Sequence, residues 1–331
     1  MYDVITVGSN TLDVFAKTDS ELIEIKSKKE VEELLAYPLG TKILITKLDF
    51  MIGGGGTNTA VAFSRLSLET GYMGKIGRDE NGLKIFKLLK KEKVDFLGTL
   101  GDISGYSIIL DSIEEDRTIL TYKGCNNNLR FKEIHLGKLK TKWFYFASMM
   151  GKSFETMKRL AEYAAKKNIK LAFNPSSYLA EKGFSYLKRI LNNTTVLVLN
   201  KKEAELIVGK GDIADLVKRL KLPNMEAVVV TNGAKGAHCY NGKTFYHVKP
   251  AKKLKIKETT GAGDAFASTL VAGMIMNKKI EECLRMAAIN AESIIQNYGA
   301  KNILLSKREM IKRLKKDRRV IKKTTIRKVY I

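Results

Sequence analysis

Thr259-Thr260-Gly261-Ala262-Gly263-Asp264-Ala265-Phe266-Ala267-Ser268 joins a turn of small residues to an apolar helix and sets one carboxylate at the junction. The helical pattern continues through Leu270, Val271, Met274 and Ile275, so unpaired amides and the positive end of a helix dipole face whatever lies over Gly261, Ala262 and Gly263. Only small residues let an anion come that close. The junction reads as a phosphate site with a base, Asp264, beside it. On an ordinary helix the same carboxylate would merely complement the dipole, so the rest of the chain decides between the two uses.

Around this stretch, short apolar runs alternate with helical periodicity, the pattern of a mostly parallel sheet covered by helices in an α/β fold. Predicted buried strands are Val4–Val7, Trp143–Ala147, Lys170–Phe173, Thr195–Leu199 and Ala227–Thr231. Predicted helices include Phe154–Lys167, with Ser153 as its N-cap, and Ile280–Gln296. Two segments differ. Lys17–Phe50 and Ile103–Tyr122 contain alternating pieces, among them Lys42–Thr46, Tyr106–Leu110 and Arg117–Tyr122, that read as antiparallel strands of a small β lid over one end of the sheet. Ligands in such sheets bind beyond the carboxyl ends of the strands.

The 331 residues carry 59 basic and 35 acidic side chains, a formal charge of +24. Ten of those charges belong to Lys307–Ile331, which holds 12 basic and 2 acidic residues. That tail has only Tyr330 as a stacking aromatic, so it reads as a solvated basic extension, and nucleic acid is not an expected partner. No apolar run approaches the roughly 20 residues of a membrane span, and Met1–Gly8 enters a strand pattern directly; a cytoplasmic protein is expected. Cys125, Cys239 and Cys283, like His135, His238 and His247, are scattered, which supports neither disulfides nor a transition-metal site.

Gly53-Gly54-Gly55-Gly56-Thr57-Asn58 lies between a lid strand and an apolar helix, suited to close backbone approach, and the amide of Asn58 suits vicinal hydroxyls. Asp13 follows the first strand at the expected ligand edge. Turns at Asn200–Glu203 and Thr231–Gly236 also follow predicted strands. Gly151-Lys152-Ser153 is no P-loop, because Phe146 stands where the first glycine of that motif belongs.

Taken in order, Gly8 to Asp13, Gly53 to Asn58, Gly77 to Gly82, Asn200 to Glu203, Thr231 to Gly236 and Thr260 to Asp264 resemble the ribokinase-like (PfkB) family of carbohydrate and nucleoside kinases. The resemblance implies a three-layer α/β/α sandwich with a mostly parallel central sheet and a β-stranded lid. It implies a kinase domain over 1–306, a lid from parts of 17–50 and 103–122, and a basic extension over 307–331. It implies transfer of the γ-phosphoryl group of ATP, with Mg²⁺, to a sugar or nucleoside hydroxyl. Asp264 would be the general base and Gly261, Ala262 and Gly263 the anion hole. Asp13, Gly54, Gly55 and Asn58 would bind the acceptor; Asn200, Glu203, Thr231, Gly233, Gly236 and Asn290 would bind ATP. Asn200 and Glu203 would organise Mg²⁺ through the phosphates. A monovalent cation such as K⁺ would lie near Glu258, Thr260 and Gly299, and the lid would serve a homodimer. Where ribokinases proper carry Lys, this chain has Gly55. A sugar phosphate is an alternative acceptor, needing a fixed cation from Arg117, Lys123 or Arg130. A non-catalytic nucleotide- or nucleic-acid-binding role is the alternative outside enzymology.

Overall fold

Strands that read as unbroken apolar runs are buried on both faces, and the two faces can be told apart residue by residue. The computed structural model describes residues 1–18, 22–26, 31–35, 39–111, 117–252, 254–257, 259–297, 301 and 303–325. Its strands are β1 (Tyr2–Val7), β2 (Thr11–Thr18), β3 (Leu22–Lys26), β4 (Val31–Leu35), β5 (Ile45–Gly53), β6 (Thr70–Met73), β7 (Lys75–Gly77), β8 (Asp95–Phe96), β9 (Thr99–Gly101), β10 (Gly105–Asp111), β11 (Arg117–Tyr122), β12 (Thr141–Phe146), β13 (Lys170–Phe173), β14 (Val196–Asn200), β15 (Ala227–Thr231), β16 (Ala237–Tyr240), β17 (Thr244–Val248) and β18 (Lys322–Thr325). Its helices are α1 (Gly55–Arg65), α2 (Glu80–Lys91), α3 (Gly151–Lys166), α4 (Ser177–Ala180), α5 (Gly183–Leu191), α6 (Lys201–Val208), α7 (Ile213–Leu220), α8 (Ala262–Ile275), α9 (Ile280–Ile295) and α10 (Lys307–Lys316).

The central sheet runs β18-β17-β16-β15-β14-β13-β12-β1-β6-β8. It is parallel from β8 to β15 and antiparallel from β15 to β18. Ile5, Val7, Phe144, Phe146, Leu197 and Leu199 pack against α3, α5, α6 and α7. Their neighbours Val4, Trp143, Tyr145, Val196 and Val198 face the other way, onto Phe63 of α1, Leu270 of α8 and Leu284 of α9. Period-two alternation thus feeds two helical layers from one sheet, giving the predicted α/β/α sandwich. Among the described residues no helix is long and apolar enough to cross a membrane.

A second sheet, ordered β11-β10-β2-β5, stands at the carboxyl end of β1. It corrects the lid as read from sequence in two ways. β10 pairs parallel with β2, not antiparallel, and β2 enters the sheet directly after the turn at Gly8–Asn10. Asp13 therefore belongs to a strand, opposite Met51 on one side and Ser107 on the other. Of Lys42–Thr46 only the last two residues are strand. Helix α3 starts earlier than predicted, with Met150 and not Ser153 as its N-cap. The Ser153 hydroxyl is instead buried, donating to Asn126 O at 2.6 Å and accepting from Leu129 N at 2.8 Å.

The described part of the basic segment, residues 307–325, is packed into the fold. Met310 of α10 is buried against the α8–α9 layer, and β18 adds antiparallel to β17. Arg319 makes a two-pronged pair with Glu292 at 2.8 Å and also holds Asp317, which Arg285 grips from α9.

The glycine run is where packing tolerance is smallest. Gly54 sits at φ +90° as the residue before α1, and the amide of Gly56 donates to Ser9 O at 3.0 Å. A Cβ on Gly56 would stand 2.5 Å from the carbonyl carbon of Gly8 and 2.8 Å from its Cα. Backbone cannot yield as a side chain can, so Gly56→Ala is expected to cost about 1–3 kcal/mol or more of stability. Urea denaturation checks this; an unchanged midpoint would show that the two turns separate freely.

Candidate active site

Following the parallel strands to their carboxyl ends leads into one cleft of about 360 Å³, near the low end of small-molecule sites. Ser9 follows β1, Ala147 and Ser148 follow β12, Asn174 and Ser176 follow β13, Asn200 ends β14 and Thr231 ends β15. The start of α8 closes the far side with Gly261, Gly263 and Asp264. Since β1 is flanked by β6 and β12, the cleft straddles the position where the strand order reverses, the expected ligand crevice of an open parallel sheet.

Gly261 adopts the left-handed conformation (φ +81°) and opens α8, an arrangement a side chain would strain. The hole at this helix start differs from the sequence expectation in one member. The Ala262 amide donates to Thr259 O at 3.2 Å, and Ala265 donates to Gly261 O at 2.9 Å. Among the described residues the amides of Gly261, Gly263 and Asp264 have no backbone acceptor, so of the three expected members only Ala262 is engaged elsewhere, and the helix start presents Gly263 and Asp264 as further donors. A Cβ on Gly263 would enter open space.

Asp264 is aimed by α1. Asn58 Nδ2 donates to Asp264 Oδ2 at 2.8 Å, while buried Asn58 Oδ1 has no partner among the described residues. Burial pushes the Asp264 carboxyl above the usual carboxylate range, against the hydrogen bond from Asn58 and the charge of Lys301, which act to lower it. Asp13 is likewise raised by burial, opposed by hydrogen bonds from Thr11 and Ser107 and by the charges of Lys301 and Lys123.

The glycines divide their labour. A Cβ on Gly53 would collide with Asp13 Oδ2 and one on Gly54 would lie 2.6 Å from Asn10 Cα. Gly55 alone faces the cleft, its Cβ position 3.6 Å from Asp264 Oδ1. So Gly54 acts through packing, and Gly55 is the member beside Asp264.

Where β14 ends, Asn200 and Glu203 form a reciprocal capping box at the start of α6: Glu203 N donates to Asn200 Oδ1 at 2.8 Å and Asn200 N to Glu203 Oε2 at 3.0 Å. Both line the cleft, and burial raises the Glu203 carboxyl. Thr231 joins them, but Gly233 and Gly236 lie further along the same turn. A Cβ on Gly236 would meet Val248 O, so close packing on β17 explains that glycine. Asn290 is not brought to the cleft. It is fully buried, donating to Thr269 Oγ1 at 2.7 Å and accepting from Leu305 N at 3.0 Å, a tie between helices and the following loop. Of the residues expected around a monovalent cation, Glu258 and Gly299 lie outside the described residues, and Thr260 is half-buried beside Gly261.

Three residues that sequence reasoning missed or left undecided hold this site. Asn126 clamps the turn after β1, accepting from Asn10 N at 2.9 Å and donating to Asn10 O at 2.7 Å. Lys123 reaches the cleft with its ammonium 4.5 Å from the Tyr178 ring centre. Lys301, wholly buried, donates to Ile52 O at 2.7 Å, Thr57 Oγ1 at 2.8 Å and Gly53 O at 3.3 Å; burial pulls its pKa down to about 7, although Asp13, Asp264 and Glu92 favour the ammonium. The polar run Gly124–Asn128 after a lid strand signals the first, whereas nothing in the sequence signals Lys301.

Comparison with known proteins bears on the family and the fold. Residues 21–307 match the model of the pfkB family of carbohydrate kinases. An uncharacterized sugar kinase of Archaeoglobus fulgidus is 32% identical over 248 residues, 73% of this chain and 97% of that protein. Two solved structures share the fold: the nucleoside kinase of Methanocaldococcus jannaschii (TM-score 0.78, 21% identity, 95% of this chain and 99% of that one) and the ribokinase of Arabidopsis thaliana complexed with ribose and ATP (TM-score 0.79, 20% identity, 95% and 99%). The chain belongs to the PfkB family of carbohydrate kinases, and is a carbohydrate or nucleoside kinase.

Proposed function

We propose that the cleft transfers the γ-phosphoryl group of ATP to a hydroxyl of a sugar or nucleoside with Asp264 as general base. The Asn58–Asp264 contact carries this reading. It orients the carboxylate at the start of α8 and leaves Asn58 Oδ1 to accept from a neighbouring hydroxyl of the same acceptor. Asp264 takes the proton of the attacking hydroxyl, the new O–P bond forms, and the bridging O–P bond breaks to release ADP. The free amides of Gly263 and Asp264 stabilise the charge on the moving phosphoryl group.

Asp13, packed against Gly53, holds the acceptor from the lid side, and Thr231 with Asn200 lines the nucleotide side. The site fits Mg²⁺ carried on the phosphates: Glu203 and Asn200 present oxygen and amide groups at the cleft, and among the described residues no three His, Cys, Asp or Glu side chains converge into a cage. When bound, Mg²⁺ neutralises charge on the β- and γ-phosphates. The exposed Leu48, Phe50, Leu120 and Tyr122 of the lid sheet support a homodimer through it.

A second acceptor reading rests on Lys123. Among the described residues this half-buried lysine has no carboxylate in ion-pair contact, and its ammonium lies over Tyr178 in the cleft, where burial lowers its pKa. A fixed cation placed so suits an acceptor carrying a phosphate or carboxylate group. Arg130 is exposed and borders Glu133, and the side chain of Arg117 lies outside those described.

Asp264→Asn is expected to lower turnover about 100- to 10,000-fold with ATP affinity nearly unchanged, measured as ADP formation across a panel of sugars, nucleosides and sugar phosphates. Near-normal turnover would remove Asp264 from the mechanism. The base works ionised, so kcat should fall as pH drops through the raised pKa of Asp264, above the ordinary carboxylate range. Asn58→Ala removes the hydrogen bond that lowers it and should move this acidic limb to higher pH; a limb that stays in place would mean another group titrates. Lys123→Met should raise KM about tenfold for an anionic acceptor and leave a neutral one unaffected. Equal effects on both acceptors would sink the second reading.

A further inference from the structure

Lys301 packs against the glycine run and is not among the residues that line the cleft. Its backbone is fixed independently of its side chain: Arg65 of α1, itself paired to Glu92 through two hydrogen bonds of 2.7 and 2.9 Å, donates to Lys301 O at 2.9 Å and to Leu304 O at 3.0 Å. Ser293 of α9 donates to Ile303 O at 2.9 Å, and Asn290 accepts from Leu305 N. The loop is therefore anchored to two helices before the lysine extends from it. From there the ammonium reaches three oxygens, Ile52 O and Gly53 O at the end of the lid strand β5 and Thr57 Oγ1 in the first turn of α1, so it spans the junction between them.

Those three oxygens belong to the segment that places both carboxylates. Gly53 is in contact with Asp13, and Asn58, one residue after Thr57, hydrogen-bonds Asp264. Thr57 also donates to Gly53 O at 2.6 Å, so the carbonyl and the hydroxyl gripped by Lys301 are bonded to each other. Three donors on an ammonium match three acceptors here with none left over. A buried lysine is costly unless it is fully bonded and has charge nearby, and Asp13, Asp264 and Glu92 supply that charge.

We infer that Lys301 is a positioning residue for the acceptor: its ammonium pins Ile52, Gly53 and Thr57, and through them sets the distance between Asp13 on the lid and the Asn58–Asp264 pair on the core. It touches neither substrate and acts through the turn alone. The inference rests on the acceptor reading of this cleft, but its first test does not.

That first test is hydrogen exchange in the full chain without substrate, comparing wild type with Lys301→Met and Thr57→Val. Gly56 and Thr57 donate their amides to Ser9 O. Lys301→Met should speed exchange across residues 53–58 by about tenfold or more while α3, α5 and the central strands keep their protection. Unchanged exchange at 53–58 overturns the proposal, as does a uniform loss across the whole protein, which would mark a purely structural lysine. If Lys301→Met fails to fold, Thr57→Val, which deletes one of the three acceptors, is expected to show the same local change to a smaller degree, and its absence is equally decisive.

The second test uses an acceptor found with the wild-type enzyme. Lys301→Met should raise the acceptor KM about tenfold and lower kcat, with the ATP dissociation constant unchanged. Equal losses for ATP and acceptor overturn the positioning role. Failure of Asp264 as base appears separately, as turnover retained by Asp264→Asn.

Discussion

The approach of two backbones, Gly8 after β1 and Gly56 at the start of α1, is the constraint on which the site depends. No side chain separates them, and Gly56 N reaches Ser9 O. Contact of this kind fixes the first turn of α1 against the end of the central strand, and α1 carries Asn58 to Asp264. Had either turn carried a Cβ here, the helix would be displaced and the carboxylate would lose its hydrogen bond. Packing tolerance and catalytic geometry are thus one requirement at this point.

From that contact the rest of the cleft follows with little extra specification. Parallel strands end at one level, and the loops leaving them converge there. α8 brings the positive end of its dipole and two free amides to the same level, so phosphate chemistry has a place before any specific side chain is considered. The charged side chains are then sorted by depth. Asp264 and Asp13 are half-buried with their pKa values raised, Glu203 is tied into its capping box, and Lys301 is buried against the ends of β5 and α1.

Sequence made the sheet legible because burial on both faces writes unbroken apolar runs, and Lys170–Phe173 and Ala227–Thr231 were readable to the residue. It made the junction at Asp264 legible because the carboxylate, the small turn and the helix are adjacent in the chain. It failed where the deciding partner is distant. Lys301 finds Ile52 249 positions away, and no local pattern marks a lysine as buried. Ser153 looked like a cap because it precedes a helical pattern, yet its hydroxyl is drawn to Asn126 and Leu129. Asn290 carried the right residue type in the right helix but spends its amide inside the core. Sequence places Asp13 just after the first strand but not within a second one, because the turn after β1 is only three residues long before β2 begins.

The position of β18 has a consequence for how the protein behaves in a crowded solution. β17 presents Thr244 to Val248, a strand rich in aromatic and branched side chains, and without a neighbour its unpaired amides and carbonyls would template another chain. β18 occupies that edge with Lys322 and Lys323, both exposed, and Lys323 also reaches Glu281 and the ring of Tyr246. A next strand would have to settle against a row of lysines. β18 therefore covers an edge that would otherwise be open to edge-to-edge pairing and sets two lysines beside it.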